Sequence, residues 1–293
     1  MTSAEKYVFL LDEESRKYAE ENLNESDENR DSCLREIRDW LEENKHLNAR
    51  PEVKYILPFL RGCKFDMDKT KVKMSNFYAM KRDRPEWLSN RDPLLPELQR
   101  LVRLGVFLPL PVRRDNKLVV IVKNAVHNPN IDTLDDVIKI GQMIMDVACM
   151  EYEKSSIYGI IGIFDMTGLS FAHARQLTPG IVKKVVYAIQ NYPCRPQQFE
   201  FVNTPTYIGY FLNIFKSLLP SKLRDRVQVH FSGYDSLYKA VGRDVLPEEY
   251  GGNGGKISEL IQYCENKLVE YSDWFKEDEL YKANGDEKKW MFF

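Results

Sequence analysis

Through residues 1–92, apolar side chains recur with the spacing of an α-helix and polar side chains fill the positions between them. The pattern predicts three helices: one capped by Ser32, a second beginning at Pro51, and a third capped by Asp66 or Asp68 that ends before Pro85. A side-chain oxygen at a cap satisfies N–H groups that the first turn leaves unpaired, and proline cannot continue a helix that it interrupts. This part of the chain is therefore predicted to be a small helical region.

Beyond residue 117 the pattern changes to short, β-branched apolar runs that alternate with helical stretches. Four strands are predicted, over 118–122, 157–164, 198–203 and 227–232. Helices are predicted between them, over 132–153, 178–191 and 206–219. Strands that alternate with helices imply crossover connections and a mostly parallel sheet, and continuous apolar runs fit strands buried on both faces. The fold class is predicted to be α/β, with an N-terminal helical subdomain followed by a mostly parallel sheet domain.

Three regions follow from these patterns: a helical domain over 1–92, a sheet domain over 93–255, and a helical tail over 256–293. The formal net charge is only −2, but both ends of the chain are acidic. The central part must therefore carry the compensating positive charge, and it is the part that we expect to face an anionic surface.

Cysteine usage and hydropathy exclude several classes of protein. The five cysteines are scattered and none forms a CxxC pair, which argues against a disulfide framework and against a zinc ribbon or finger. The four histidines show no ligand spacing, so we expect no metal site. No apolar run approaches the roughly 20 residues that cross a bilayer, and the N-terminus is not typical of a signal peptide. We expect a cytoplasmic protein.

Two segments contain the ingredients of catalytic motifs without their full patterns. The GGNGGK stretch that ends at Lys256 lacks the flanking residues of a phosphate-binding loop and is predicted to be a turn. Asp165, Ser170 and His173 occur close together, but Ser170 lacks the strand–turn–helix sequence of a nucleophile elbow. The chain is therefore expected not to be an enzyme.

The segment 206–219, TYIGYFLNIFKSLL, is predicted to be a helix that is apolar on most of its circumference. Such a helix is either an interior packing element or a cover for a lipid cavity that can move onto a membrane. Lys222, Arg224 and Arg226 follow it at every second position. Cations beside an apolar helix suit anionic lipid headgroups, which favours the second interpretation.

Four further segments, taken in order, resemble the CRAL-TRIO family. Residues 56–71, ILPFLRGCKFDMDKTK, are similar to its FLR-x-x-KFD signature, and residues 163–184, IFDMTGLSFAHARQLTPGIVKK, are similar to its central block. FVNTP at 201–205 and LPEEYGG at 246–252 resemble two later motifs. The resemblance spans about 30–255, most of the chain.

The resemblance implies a helical lid domain, a sheet-floored pocket that encloses one hydrophobic molecule, and a mobile gate helix at about 206–219. It places the lining of the lipid-binding pocket on twelve residues of this sequence: Ile138, Gln142, Met145, Ile161, Phe171, Val185, Ile189, Tyr192, Phe199, Ile208, Phe211 and Phe215. Of these, Gln142 and Tyr192 are the polar groups that could orient a ligand headgroup.

Some members of the family also recognise phosphoinositide headgroups through a basic patch. Here the matching positions keep the basic residues Arg195, Lys222, Arg224 and Arg226. At two further positions, where the resemblance leads us to expect basic residues, this sequence has Gln197 and Cys63. The pocket hydroxyls of tocopherol-binding members are replaced by Gly141 and Met145. A retinoid, tocopherol, a carotenoid, another isoprenoid or a fatty acid all remain candidate ligands.

The function predicted from these observations is binding and transfer of one hydrophobic molecule, exchanged transiently at anionic or phosphoinositide-containing membranes. We expect no cofactor beyond the bound lipid. We also expect a monomer, with no nucleic-acid partner. The alternative is a signalling or scaffold module that binds phosphoinositides or a small GTPase without an obligatory lipid cargo. A hydrolase would need a nucleophile, which the sequence does not offer.

Overall fold

The computed structural model describes residues 7–231 and 233–285, and its first part is a set of packed helices. The three predicted helices correspond to the second, third and fourth of its α-helices. The elements are α1 (Glu13–Leu23), α2 (Asp27–Glu43), a 3-10 turn (Lys45–Leu47), α3 (Val53–Gly62), α4 (Met67–Asp83), α5 (Pro85–Leu88) and α6 (Pro96–Arg103). Residues 1–6, 232 and 286–293, which fall in the predicted helical domain, the last strand and the tail, lie outside the described residues.

The caps of these helices differ in part from prediction. Ser26, not Ser32, caps α2, because its Oγ accepts a hydrogen bond from the Asn29 N–H at 3.1 Å and Ser32 lies inside the helix. Asp66, one of the two predicted caps, accepts from the Lys69 N–H at 3.1 Å and starts α4. The sequence pattern does not predict α1, because that helix is dominated by charged residues and buries little apolar surface.

The central part of the described chain is a five-stranded sheet in the order β1–β2–β3–β4–β5. β1 pairs antiparallel with β2, and the remaining pairs are parallel. The strands are β1 (Phe107–Pro109), β2 (Leu118–Lys123), β3 (Ile160–Asp165), β4 (Pro196–Val202) and β5 (Val227–Val229). The predicted α/β fold, with a helical N-terminal region and a mostly parallel sheet, is confirmed.

The later helices lie between the strands and after them. Thr178 caps the helix that follows it through a bond from the Ile181 N–H, with Pro179 in the first turn, as the sequence predicts. The helices are α7 (Leu134–Glu151), α8 (Lys154–Tyr158), α9 (Phe171–Gln176), α10 (Pro179–Asn191), a 3-10 turn (Thr206–Ile208), α11 (Gly209–Leu218), α12 (Ser221–Arg224), α13 (Asp235–Val241), a 3-10 turn (Glu248–Tyr250), α14 (Ile257–Glu270) and α15 (Ser272–Asp278).

The strand order decides which face of the sheet each helix covers. The parallel strands follow one another across the sheet in chain order, so right-handed crossovers place their helices on one face. Side chains of α7, α10 and α11 pack on that face. Leu237 and Val241 of α13 and Leu260 of α14 pack on the opposite face, against Ile161 and Ile163.

One strand is displaced from its predicted position. The run predicted as a strand over 157–164 begins with the end of α8, and β3 starts only at Ile160. Gly159 separates them with φ 96°, and a Cβ there would lie 2.5 Å from the carbonyl oxygen of Arg195. An apolar run alone does not distinguish a buried helical turn from a strand, and glycine at this point permits the change.

A buried arginine joins the N-terminal helices to α8. Arg61 donates from Nε and Nη2 to the two carboxylate oxygens of Glu25, both at 2.8 Å, and both side chains are fully buried. Its Nη1 reaches Glu153 and Ser156 at 2.9 Å. Burial alone would lower the pKa of Arg61, but the contacts with Glu25 outweigh burial and raise the pKa above its usual value. The guanidinium therefore remains charged in the interior.

A second buried network attaches α15 to the rest of the protein. Asp278 accepts from Lys81 of α4 at 2.6 Å and from Arg91, while Arg50 Nε lies 3.3 Å from its Oδ1. Arg91 also donates to Asp146 of α7 at 2.8 Å. The last described helix is thus fixed to three separate parts of the chain by directional bonds.

Among the described residues, no helix combines the length and the apolar character that crossing a bilayer requires.

Replacing Asp278 with Asn should destabilise the protein by about 3–5 kcal/mol, because Lys81 would lose its buried carboxylate partner and Arg91 would lose one of its two. Burial would raise the pKa of Asp278, but Lys81 and Arg91 outweigh it and hold the pKa below its usual range. The stabilisation is therefore complete at neutral pH and is lost as the pH falls below about 4.

Urea unfolding at pH 7 and at pH 3 measures both effects. The matched control is Asp273→Asn on the same helix, since the Asp273 side chain is exposed and pairs only with exposed Lys276. A loss of similar size in the two variants would contradict the role given to the buried carboxylate.

Candidate functional site

The crossover face of the sheet carries a group of stacked aromatic rings. Phe164 and Phe201 are register partners on β3 and β4, and their rings stack with centroids 4.8 Å apart. Phe215 of α11 meets Phe199 and Phe201 edge-on, at 5.9 and 5.7 Å. We call Phe164, Phe199, Phe201 and Phe215 the aromatic cluster. It forms an apolar layer between the sheet and α11.

The structure brings six of the twelve predicted pocket residues to this face. Five lie around the aromatic cluster: Ile189, Phe199, Ile208, Phe211 and Phe215. The sixth, Met145, lies near Phe164 on the α7 side. Ile138 and Val185 instead pack with Trp87, where α7 and α10 meet the helical region.

Two other predicted pocket residues lie elsewhere. Ile161 alternates with its neighbours on β3 and faces the opposite side of the sheet, where α13 and α14 cover it. Phe171 is 69% exposed on α9 and stacks on Tyr207 at 4.8 Å, so it lies at the surface beside α11. Sequence spacing does not reveal these placements, because they depend on the strand register and on the direction of a short helix.

The two polar residues predicted to orient a ligand differ in their surroundings. The Tyr192 hydroxyl donates to Asp146, and burial raises the pKa of this phenol. Gln142 is different: its Oε1 is buried and has no hydrogen-bond partner among the described residues. An unpaired buried amide is costly, so Gln142 is the group better placed to meet a polar end of a ligand.

Helix α11 is held by few polar bonds. At its start the Tyr207 hydroxyl donates to the carbonyl oxygen of Leu169, and at its end Gln190 Nε2 of α10 donates to the Leu218 carbonyl at 3.2 Å. Tyr210 is 65% exposed and follows Tyr207 by three residues, and partly exposed Tyr207 stacks on exposed Phe171. These three rings, the surface aromatic patch, present apolar area to solvent next to a helix with few polar anchors.

Four cations meet beside the C-terminal end of this region. Lys222 is influenced by Arg226, Lys64 and Arg195, and burial together with these charges lowers its pKa. Burial and Arg226 likewise lower the pKa of Arg195, whose Nη1 is buried without a partner. None of the four forms a salt bridge within 7–231 and 233–285. We call Lys64, Arg195, Lys222 and Arg226 the basic cluster.

The composition of the basic cluster differs from the predicted headgroup set. Arg224 is turned away from it and donates to the carbonyl oxygens of Lys216 and Leu219, both at 3.1 Å, where it caps the end of α11. Lys64 joins the cluster from the loop after α3, and Tyr18 of α1 hydrogen-bonds Arg195. No local sequence signal pairs Lys64 or Tyr18 with residues more than a hundred positions away.

The residues that suggest a catalytic trio do not form one. Ser170 Oγ lies 2.7 Å from His173 Nδ1, but this contact is part of the capping box that starts α9. Asp165 instead binds Thr167, Tyr250 and Asn203. Burial would raise the pKa of Asp165, but these hydrogen bonds hold the pKa below its usual range. The described residues also contain no group of three or more His, Cys, Asp and Glu side chains that could hold a metal ion.

A separate cavity of about 590 Å³ lies away from the aromatic cluster. It is bounded by α3 and α4 on one side and by α7, α8 and α15 on the other. Of the twelve predicted pocket residues, only Tyr192 lines it.

Comparisons with protein families match two parts of the chain. A model described as a Pinta-like UBA domain matches residues 26–98, and the CRAL/TRIO domain model matches residues 107–252.

Curated relatives and one solved structure extend the match over most of the chain. The human protein named alpha-tocopherol transfer protein-like is 28% identical over 254 residues, which are 86% of this chain and 73% of that protein. Clavesin-1 of Xenopus laevis is 26% identical over 78% of this chain and 70% of that protein. The crystal structure of Sfh5 shares the fold, with a TM-score of 0.57 and 15% identity over 86% of this chain and 98% of that one.

Replacing Arg226 with Gln should raise the pKa of Lys222, because the like charge with the largest effect on Lys222 is removed. Replacing Arg224 with Gln should leave it unchanged, since Arg224 is turned toward the end of α11. NMR titration of the lysine side-chain resonances measures the pKa in both variants. Equal shifts would mean that Lys222 responds to overall charge and that the basic cluster is not a local unit.

Proposed function

The chain belongs to the CRAL-TRIO family, and we propose that it is a non-enzymatic carrier that encloses one hydrophobic molecule and exchanges it at anionic membranes. The observation that carries the proposal is the arrangement of α11: an apolar helix over an aromatic layer, with exposed rings on one side and unpaired cations near its end.

The aromatic cluster would line the space for the ligand. In the structure the rings pack against one another, and a ligand would take the place of those ring contacts when α11 moves outward. Enclosure of a lipid removes several hundred Å² of apolar surface from water, at about 25 cal/mol per Å². That gain is large enough to offset the separation of a few aromatic pairs, each of which contributes about 0.5–1.5 kcal/mol.

Ligand exchange needs a second state, and α11 would be the element that differs between the two. Among the described residues, side-chain bonds hold its ends: Tyr207 to Leu169 at the start, and Gln190 to Leu218 and Arg224 to Lys216 at the end. The surface aromatic patch would enter the membrane interface, where aromatic rings are favoured, and the open state would be stabilised there. A membrane would thus release the ligand by binding the open form more tightly.

The basic cluster would supply the preference for anionic membranes. Neighbouring cations lower the pKa values of Lys222 and Arg195, and the basic cluster forms no salt bridges among the described residues, so an anionic headgroup would relieve this repulsion. Lys64 comes from the helical region and Lys222 from α12, so a headgroup bound between them would contact both parts of the protein. The same chemistry accommodates a phosphoinositide.

The polar content of the pocket narrows the ligand class. With Tyr192 engaged by Asp146, the unpaired Oε1 of Gln142 is an acceptor and favours a ligand with one hydroxyl group on an apolar body. Retinol, tocopherol, another isoprenoid alcohol or a protonated fatty acid satisfies this requirement, whereas a hydrocarbon carotenoid leaves the Oε1 unpaired.

Native mass spectrometry of the purified chain, before and after organic extraction, tests the proposal. We expect one chain of 34.4 kDa with about one equivalent of lipid, or uptake of one equivalent of added retinol, tocopherol or fatty acid by the extracted protein. A chain that is empty and accepts none of the three would contradict the carrier function and support the scaffold alternative.

The double variant Lys64→Gln/Lys222→Gln should slow ligand transfer to anionic vesicles by roughly ten- to thirtyfold, since each cation near such a surface contributes roughly 1 kcal/mol. Ligand affinity in solution should not change, because neither side chain lines the pocket. Fluorescence transfer assays with anionic and neutral vesicles separate the two quantities. The matched control is Lys239→Gln/Lys276→Gln, which removes two exposed cations on other surfaces; an equal loss there would reject a specific role for the basic cluster.

A further inference from the structure

The cavity of about 590 Å³ between the helical region and the sheet domain is distinct from the proposed lipid pocket. No member of the aromatic cluster lines it. Its apolar wall is contributed by Leu57, Phe59, Phe77, Met150 and Trp274, which come from α3, α4, α7 and α15. Its volume lies within the range of about 300–1,000 Å³ that is typical of small-molecule sites.

One corner of this cavity collects hydrogen-bond donors. The Arg50 side chain is almost fully buried, and its Nη2 has no partner among the described residues. The Tyr78 hydroxyl accepts from the Arg50 N–H at 3.1 Å, and the Tyr55 hydroxyl accepts from Trp274 Nε1 at 2.8 Å. Neither phenolic proton has an acceptor within the described part of the chain. Three donors that are unpaired in a cavity call for an acceptor atom that the protein does not supply.

The charges around this corner exclude a strongly anionic ligand. Arg50 pairs with Glu277 at 3.0 Å and with Asp278 at 3.3 Å, and its guanidinium lies over the rings of Tyr55 and Tyr281 at 4.5 and 4.2 Å. Its positive charge is therefore already compensated. A carboxylate or phosphate would meet Glu277 and Asp278 as like charges, whereas a neutral oxygen acceptor would not.

We infer that this cavity is a second binding site, which takes a neutral, largely aromatic or aliphatic molecule with a carbonyl oxygen directed at Arg50, Tyr55 and Tyr78. The site would be occupied separately from the lipid pocket, because no residue of the aromatic cluster lines it. A ketone, an ester or a quinone ring has the required combination of apolar body and neutral acceptor.

The N-terminal segment forms one wall of this site and provides a means of access. Tyr7, Val8 and Leu10 line the cavity, and Tyr7 is held by Arg61 at 3.3 Å and by Glu153. Val8 and Leu10 are largely exposed, and the apolar anchor of the segment is Phe9, which is buried with Leu23 and Ile157. Displacement of this short segment would open the cavity without any change in the sheet.

The neutral photoreactive ketone 4-octylbenzophenone tests the inference on the full chain. Its carbonyl is both the acceptor that the site requires and the group that cross-links to nearby C–H bonds on irradiation. We expect saturable labelling of the peptides that contain Tyr55, Tyr78 and Trp274, as mapped by mass spectrometry. Labelling confined to α10 and α11 would overturn this inference while supporting the carrier function. Labelling confined to the peptides that contain Tyr55, Tyr78 and Trp274 would support this inference and count against the carrier function.

Two variants separate a site from non-specific contact. Tyr78→Phe keeps the ring but removes the unpaired O–H donor, and it should weaken saturation about three- to tenfold. Met150→Trp should fill the cavity and abolish labelling there, with labelling at α10 and α11 unchanged. Tyr263→Phe, on exposed α14, is the control and should behave as the unmodified chain. The second site is rejected if the probe labels Tyr78→Phe and Met150→Trp as it labels the control, with the melting temperatures of both variants unchanged.

Discussion

The architecture depends on the buried carboxylate of Asp278. Hydrophobic packing is non-directional and would allow the last helix to settle in several positions, whereas ion pairs with Lys81, Arg91 and Arg50 fix one. Arg91 extends the network to Asp146 and, through it, to Tyr192. The C-terminal helices, the N-terminal helices and α7 are therefore held as one frame, and the sheet is anchored to that frame through α7. Buried ion pairs of this kind contribute position more than net stability.

Against this frame, α11 is weakly anchored. Within the described residues its polar contacts to other elements are a hydroxyl bond at its start and, at its end, bonds from Gln190 and Arg224, all made to main-chain carbonyl groups. Its remaining contacts are apolar. They hold α11 in place only because moving it would expose apolar surface to water, which costs free energy. A bilayer removes that penalty. The contrast between a charged frame and an apolar cover explains why the proposed exchange can involve one helix while the rest of the molecule keeps its shape.

The sequence predicts elements well where the cause is local and poorly where it is not. Thr178 and Asp66 cap helices as expected because a cap acts within three residues, and four ordered motifs were sufficient to identify the family. Ile161 was assigned to the pocket, but a strand presents successive side chains to opposite faces and register decides which one is inside. Arg224 lies in the same every-second-residue pattern as Lys222 and Arg226. Its guanidinium nevertheless binds a carbonyl group at the end of α11 and does not join the basic cluster. The pairing of Asp278 with Lys81 joins residues far apart in the chain, and no periodicity in either segment indicates it.

The order of the strands has a consequence for how such proteins diverge. Since every parallel crossover lies on one face, the pocket-facing side chains of β2, β3 and β4 belong to a different layer from those that support α13 and α14. Substitutions on the two layers should therefore affect stability nearly additively, as expected for sites without shared neighbours. A lineage can remodel Phe199 or Phe201 for a ligand of another shape while Ile161 and Ile163 continue to hold the fold, so cargo preference can evolve faster than the scaffold.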